Sequence, residues 1–418
     1  MNWKKSVAWL EPFWVLAVAP ILLLPGRFLP SGFEGVLVSW QLYALLILGV
    51  GWPIRRIAYG HFTRRTPLTI PIGLLLLWLP VNYWAAADKT LALDAVGYLL
   101  FGIALYFAFI NWPPAEKRPQ LIAWFILTMG FGLALTAPFL SNLGLSSLYR
   151  LPGISPYLKQ LADMTPGNIN ENRMAGALVV ILPLYVAVAF HKQQRFWLRL
   201  LWGSGALLIL GLLILSQSRA ALFAAVVGLA VLLILRWPRF LYLTPLVLLA
   251  AGIGLYQFDP DLLLASQNQN IVGGWDSRLE LWSRGIYAIT DFAFTGLGIG
   301  NFQRVIPILY PLFLVSPDTV VEHVHNLFLQ VGLDLGFPGL IAYLALFINV
   351  FLFLWLILRT KERTLSWLLA AGVAAGLLSM FVQGIVDAPL WGSKPAFIPW
   401  LLVALAVQVG LAHVKENA

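Results

Sequence analysis

The sequence predicts an all-α membrane protein with about twelve transmembrane helices and a large external loop that contains short helices. Of its 418 residues, 60% are hydrophobic and only 11% are charged, and the mean hydropathy is +0.83. This composition cannot supply the polar surface that a soluble protein of this length needs. Apolar runs of about 20 residues, the length that crosses a bilayer as a helix, recur along the chain. Lipid is therefore expected to solvate most of the chain.

Each apolar run is interpreted as a helix, because a lipid-exposed chain must satisfy its backbone hydrogen bonds internally. The first run follows a basic start but contains Glu11 and Pro12 and lacks a small-residue cleavage pattern, so we interpret it as a helix and not as a signal peptide. The predicted spans are residues 8–26, 35–53, 68–86, 92–110, 120–140, 173–190, 199–215, 219–236, 240–257, 337–358, 365–386 and 396–413.

The distribution of lysine and arginine predicts the orientation in the membrane. With the N-terminus inside, 17 of the 27 Lys and Arg residues fall in short inner loops, among them Arg236, Arg239 and Arg363. This excess is typical of cytoplasmic loops, so both termini are expected in the cytoplasm of a bacterial-type inner membrane. The net charge of +9 is mostly this asymmetry, and it does not indicate nucleic-acid binding.

Two predicted outer segments, 141–172 and 258–336, are too long to be simple turns, and long ordered loops are usually functional. We therefore expect transmembrane helices one to nine over residues 1–257, an external loop domain with the catalytic residues over 258–336, and helices ten to twelve over 337–418. Within the second segment, Ser277 and Glu280 form a capping-box pattern, which predicts a helix that starts near Ser277.

Two arginines are predicted at helix starts on the external face. Ser216 to Arg219 form a tight turn in which Ser218 is a natural N-cap, and Arg278 directly follows the predicted cap Ser277. A cation at a helix N-terminus opposes the helix dipole, whereas an anion bound there is stabilised by free N–H groups and by the guanidinium. The two positions predict a phosphate or pyrophosphate site.

Each basic residue also has a structural explanation. Arg219 could extend to the lipid headgroups. Arg284 is a third candidate for the anion site, but Glu280 lies four residues before it, in the order that favours a surface ion pair. We therefore rank Arg284 below Arg278.

Two of the five histidines, His323 and His325, stand together before the apolar stretch 327–335. The positive end of a helix dipole favours the neutral imidazole, which suits a general base. The alternatives are a structural role and a metal site with Glu322, for which the sequence places no third strong ligand. No cofactor is expected, and the absence of cysteine excludes disulfides and thiolate metal sites.

These motifs resemble the O-antigen ligase family, whose wider superfamily includes O-antigen polymerases. His325 and Asn326, a nine-residue spacer and then Gly336 to Gly339 are similar to the ligase signature. Further similar stretches are Ser216 to Arg219, Ser277 to Trp282 and Gly296 to Gly300. The residues that this resemblance indicates as supporting the site are Ser216, Ser218, His323, Asn326, Gly336 and Gly339.

The resemblance implies a GT-C-like, metal-independent, inverting glycosyltransferase. It would take a glycan from undecaprenyl pyrophosphate and transfer it to an acceptor hydroxyl, on lipid A-core or another surface acceptor, at the external face of the inner membrane. His325 would be the catalytic base, and Arg219, Arg278 and Arg284 would bind the pyrophosphate.

Two other functions stay open. A polymerase would use a second lipid-linked repeat as the acceptor. A transporter of a small anion such as inorganic carbon is the alternative from a different class, and it predicts a broken helix with polar groups at mid-membrane depth.

Overall fold

The computed structural model describes residues 3–23, 34–141, 169–216, 218–243, 245–246, 249–250, 253, 275–316, 319–360 and 363–416. These residues are mainly helical and form no β-strand apart from an isolated bridge between Ser141 and Ile169. The helices are α1 (Trp3–Trp9), α2 (Glu11–Ala17), α3 (Ala19–Leu23), α4 (Glu34–Gly49), α5 (Gly51–Tyr59), α6 (Thr69–Ala85), α7 (Lys89–Ile110), α8 (Pro113–Lys117), α9 (Gln120–Leu140), α10 (Glu171–Ala189), α11 (Phe196–Leu215), α12 (Arg219–Arg236), α13 (Trp275–Asp291), α14 (Phe302–Leu309), α15 (Leu327–Leu358), α16 (Leu365–Gly384) and α17 (Ile398–Glu416).

The predicted all-α membrane fold is confirmed. In the described part of the chain, nine helices are long and apolar enough to cross a membrane, or ten if the pair Trp3–Trp9 and Glu11–Leu23, bent by 52°, is one span. The third predicted span is the shorter helix α6. Parts of the ninth, 240–257, and most of the outer segment 141–172 lie outside the described residues.

The chain forms two compact units. The first comprises Met1–Ile122, Leu264–Phe353 and Trp391–Ala418, and the second comprises Ala123–Leu263 and Leu354–Leu390.

In the first unit, α7 is the central helix and packs against α2, α3, α4, α6 and α17. Asp88 caps its start by accepting hydrogen bonds from the N–H groups of Thr90 and Leu91, at 2.9 and 3.2 Å. At its other end, the Gln408 side chain donates to the carbonyls of Phe109 and Ile110. Both ends of this buried helix therefore satisfy backbone groups that lipid could not.

A buried ion pair joins α2 to α5 in the same unit. Arg55 donates to Glu11, and the two side chains are only 1% and 4% exposed. Arg55 also donates to the carbonyl of Phe62. Charges that are buried in a membrane protein are tolerated when they are paired, so Glu11 and Arg55 stabilise each other in this position.

In the second unit, α10 is the central helix and packs against α11, α12 and α16. Gly372 of α16 lies so near α10 that a Cβ atom at this position would be 2.9 Å from the Cα atom of Leu184. Small residues at such contacts let membrane helices approach closely, and the resulting van der Waals packing contributes to helix association in lipid.

Candidate active site

The histidine pair lies in a tight turn at the start of α15, in the first unit. The Asn326 side chain accepts a hydrogen bond from the N–H of Leu329 at 3.0 Å and so caps the helix. The N–H of His325 donates to Nδ1 of His323 at 3.2 Å, and the two ring centroids are 4.2 Å apart. Because Nδ1 of His323 accepts this bond, a neutral His323 carries its proton on Nε2.

The backbone of His325 is in the left-handed region, with φ at 53°. Among the described residues, it is the one non-glycine residue with a positive φ. Few such residues adopt this conformation, and those that do cluster at active sites and ligand clamps. The carbonyl of His325 accepts a hydrogen bond from Nε1 of Trp282 at 3.2 Å, so helix α13 helps to fix the turn.

The helix predicted to start near Ser277 is confirmed as α13, but the predicted capping box is wrong. Helix α13 already includes Trp275, so Ser277 lies inside its first turn and is not a cap. Glu280 instead accepts hydrogen bonds from the N–H groups of Phe313 and Leu314, at 2.6 and 2.9 Å. The side chain therefore holds a distant loop segment, and a sequence pattern limited to four residues could not show this.

Arg278 nevertheless lies near the histidine turn. It is half-buried on α13, one helical turn before Trp282, whose indole contacts His325. Residues four apart on a helix lie on the same face, so Arg278 and Trp282 share one face of α13. That Arg278 and His325 act on one substrate stays a prediction.

The structural explanation for Arg284 is confirmed. Its guanidinium lies 4.0 Å from Glu280 and donates to the carbonyl of Pro311 at 3.1 Å. It also lies 5.4 Å from the centroid of the Phe313 ring. These contacts attach the loop to α13, whereas a role of Arg284 in binding pyrophosphate stays a prediction.

The same loop has a second attachment near Tyr310. The hydroxyl of Tyr310 donates to Asp291 at 2.5 Å. Burial, and then the hydrogen bond to the Asp291 carboxylate, raise the pKa of Tyr310 to about 12. Tyr310 is therefore a neutral donor at physiological pH and holds the loop against the end of α13.

Arg219 lies in the second unit, at the predicted helix start. Ser216 is the C-cap of α11, and Ser218 is the N-cap residue of α12, so the tight turn is confirmed. The hydroxyl of Ser218 makes no capping bond to α12; the backbone N–H of Ser218 instead donates to Oγ of Ser216 at 3.3 Å. The convergence of Arg219 with Arg278 and His325 stays a prediction.

The signature glycines bring two backbone segments into contact. Gly336 has a φ of 68° and breaks α15, and a Cβ atom there would overlap the carbonyl of Phe294. A Cβ atom at Gly296, whose φ is also 68°, would be 2.6 Å from the Gly336 nitrogen. Gly339 follows one turn later, against the Leu335 side chain. Gly296 and Gly336 therefore allow the two backbone segments to approach closely, and a role of Gly336 and Gly339 in supporting the site stays a prediction.

A buried carboxylate that the sequence analysis did not single out connects these segments. Asp334 is 1% exposed and accepts hydrogen bonds from Nε1 of Trp391 at 2.7 Å and from Nε2 of Gln330 at 3.0 Å. The backbone of Gly300 also bonds to it. Gln330 in turn accepts from the N–H of Val324 at 2.8 Å, directly before His325. The carboxylate therefore stabilises the histidine turn. In the sequence, an ionisable residue within an apolar run was the signal that could have identified Asp334.

The transporter alternative required a broken helix with polar groups, and α15 does break beside Asp334 and Gln330. The carbonyl of Asp334 accepts a hydrogen bond from Asn82, and Nε1 of Trp78 donates to the carbonyl of Leu335 at 2.7 Å. Side chains of the protein thus pair the backbone carbonyls that the break in α15 exposes, and these hydrogen bonds stabilise the fold. This arrangement does not favour an ion path.

The alternative of a metal site requires Glu322 as a ligand beside the two histidines. Glu322 is exposed, and it does not join the two imidazoles in a group compact enough to hold an ion. Within the first unit, the two histidines supply two ligands, whereas zinc takes three or four from proteins. A metal ion in this unit would therefore bind through His323 and His325.

The fold and this site define a multi-pass, all-helical membrane protein whose polar centre is a braced histidine turn beside an arginine-bearing helix. Residues 204–344 match the family model described as O-Antigen ligase. The chain is also 22% identical to the teichuronic acid biosynthesis protein TuaE of Bacillus subtilis (strain 168), over 423 positions that cover 92% of this chain and 82% of that protein. Both matches confirm the resemblance to the O-antigen ligase and polymerase superfamily and support a membrane enzyme of polysaccharide biosynthesis.

Proposed function

We propose that the protein is a glycosyltransferase that moves a glycan from undecaprenyl pyrophosphate to an acceptor hydroxyl. The reaction takes place on the external face of the inner membrane, with both termini in the cytoplasm. The observation that carries the proposal is the His325 turn, which is held in a left-handed conformation between His323 and Trp282 inside the segment that matches the ligase family model.

In the proposed reaction, His325 accepts the proton of the attacking hydroxyl. The hydroxyl oxygen bonds to the anomeric carbon as the bond between that carbon and the pyrophosphate oxygen breaks. Attack from the face opposite the leaving group inverts the anomeric centre. Undecaprenyl pyrophosphate leaves with the electron pair, and Arg278 and Arg219 stabilise the negative charge that develops on it. His323 is the alternative base if both imidazoles face the acceptor.

Ligase and polymerase differ only in the acceptor, so one experiment separates them. Purified protein in lipid vesicles is incubated with a fluorescent undecaprenyl-pyrophosphate oligosaccharide, with and without lipid A-core. A single transfer to lipid A-core supports the ligase, and a ladder of products without it supports the polymerase. If neither product forms, and no transfer to any other saccharide or lipid acceptor is detected, the proposal is overturned.

Replacing Arg219 or Arg278 with alanine is expected to weaken donor binding about 10- to 100-fold in each case. The reason is that a hydrogen bond to a charged group contributes about 1.5–3 kcal/mol. The measurement is the KM for the lipid-linked donor, with the exposed Arg304→Ala on α14 as the matched control. Unchanged donor affinity in both variants would refute the pyrophosphate site.

Chelation tests the metal alternative. We expect transfer to be unaffected by EDTA, because two arginines can neutralise the pyrophosphate without a divalent cation. The initial rate is measured after dialysis against EDTA and again after Mg²⁺, Mn²⁺ or Zn²⁺ is added back. Loss of activity that one of these ions restores would instead support a metal bound through His323 and His325.

A further inference from the structure

An open cleft lies at one end of the second unit, where α10 and α12 end and α16 begins. One of its lining residues is charged. The lining residues are Ala187, Phe190, Leu232, Leu233, Arg236, Trp237, Trp367 and Leu368. The walls are thus apolar and aromatic, and a cation lies at the rim.

A second cation lies against the same cleft. The Arg363 guanidinium stacks on the Trp367 ring at 3.9 Å from its centroid, and that of Arg236 lies 5.5 Å from the centroid of Trp237. Burial, and then the charge of Arg236, lower the pKa of Arg363. In the described part of the chain, neither arginine has a salt bridge to a carboxylate. Arg236 therefore lines the cleft and Arg363 lies on one of its aromatic walls, without a neutralising carboxylate from the described residues.

The start of α16 lies at this rim beside the C-terminal ends of α10 and α12, and it is the one of these three helix termini that adds positive potential. Arg363 directly precedes Thr364, the N-cap of α16, whose side chain accepts a hydrogen bond from the N–H of Trp367 at 3.3 Å. The first turn of α16 contains no acidic residue. A cation beside a helix N-terminus is destabilised by the dipole, so an anion bound here would offset both the dipole and the repulsion between the arginines.

We infer that this cleft binds one phospholipid with an anionic headgroup. Its phosphate lies between Arg236 and Arg363, and an acyl chain runs along Leu232, Leu233 and Leu368. A phosphate without a chain would leave these apolar walls uncovered. The excess of basic residues in the inner loops places the cleft at the cytoplasmic edge, where basic pockets between helices meet anionic lipids. The site is therefore separate from the donor site that is proposed on the external face.

The test is native mass spectrometry of the purified full-length chain with phosphatidylglycerol or phosphatidylcholine of identical acyl chains. We expect the wild-type protein to retain one phosphatidylglycerol with about 30-fold higher affinity than phosphatidylcholine, because each basic residue near an anionic lipid contributes about a fivefold factor. R236Q/R363Q should bind both lipids equally. The neighbouring R239Q, which lies on the exposed turn Pro238–Tyr242 and does not line the cleft, should keep the preference.

Three results would overturn the inference: equal affinity of the wild-type protein for both lipids, an unchanged preference in R236Q/R363Q, or displacement of the lipid by glycerol 3-phosphate at equal concentration. The last result would show a headgroup site that makes no use of the apolar walls. The single variants R236Q and R363Q, each expected to lose about fivefold, provide the test if the double variant does not fold.

Discussion

The variant His325→Asn should lose transfer activity by about 10²- to 10⁴-fold in kcat, the range that general base catalysis contributes. Asparagine suits this test because it tolerates the left-handed conformation that His325 adopts, with φ at 53°. It therefore keeps the turn and removes only the imidazole. Alanine would add backbone strain, and the two effects could not be separated.

The readout is the initial rate of glycan transfer with saturating lipid-linked donor. The donor KM should stay near the wild-type value, because a base that acts on the acceptor does not bind the pyrophosphate. His323→Asn is the matched control, and it should cost less, since His323 acts on the proposed base only through the hydrogen bond from its backbone N–H and the contact between the rings. Transfer at the wild-type rate in His325→Asn, with an unchanged melting temperature, would exclude His325 from the mechanism.

The helices were predictable from the sequence because lipid imposes a strong constraint on length and hydropathy. Helix α12 is the example: the predicted span 219–236 and the observed helix Arg219–Arg236 coincide. The turn before it was predictable for the same reason, since Ser216 to Ser218 leave room for nothing longer.

The interior of the site was not predictable from local patterns. The role of Glu280 as acceptor for Phe313, and the hydrogen bond between Asp334 and Trp391, 57 residues apart, depend on tertiary contacts that a capping motif or an apolar run cannot show. The sequence therefore indicated the candidate residues for the proposed chemistry, and the structure adds the residues that hold the histidine turn in place.

The second large effect is expected at the brace of the histidine turn. In D334N, one amide oxygen must accept from both Gln330 and Trp391, and the new amide N–H groups have no acceptor among the groups that bond to Asp334. In Q330E, two carboxylates meet without a donor between them. A buried polar group without a hydrogen-bond partner costs about 1–3 kcal/mol. Each single variant should therefore have a lower melting temperature and lose transfer activity.

The double variant Q330E/D334N should recover both properties. The amide nitrogen introduced at position 334 can donate to the carboxylate introduced at position 330, and the amide oxygen can still accept from Trp391. The new carboxylate at position 330 still accepts from the N–H of Val324. The hydrogen bond between the two side chains is reversed in direction, and the hydrogen bonds from Trp391 and Val324 are kept.

Recovery of kcat together with melting temperature in Q330E/D334N would show that Gln330 and Asp334 are positioning residues that act through the His325 turn. If the two residues only stabilise the fold, a different result is expected. The double variant would recover its melting temperature, and each single variant would transfer glycan at the wild-type rate when the rate is measured well below its melting temperature. Single variants that melt and react like the wild-type protein would contradict the brace altogether. Because the hydrogen bond from Gln330 reaches the residue directly before His325, we expect the loss of rate to exceed what the loss of folded protein explains.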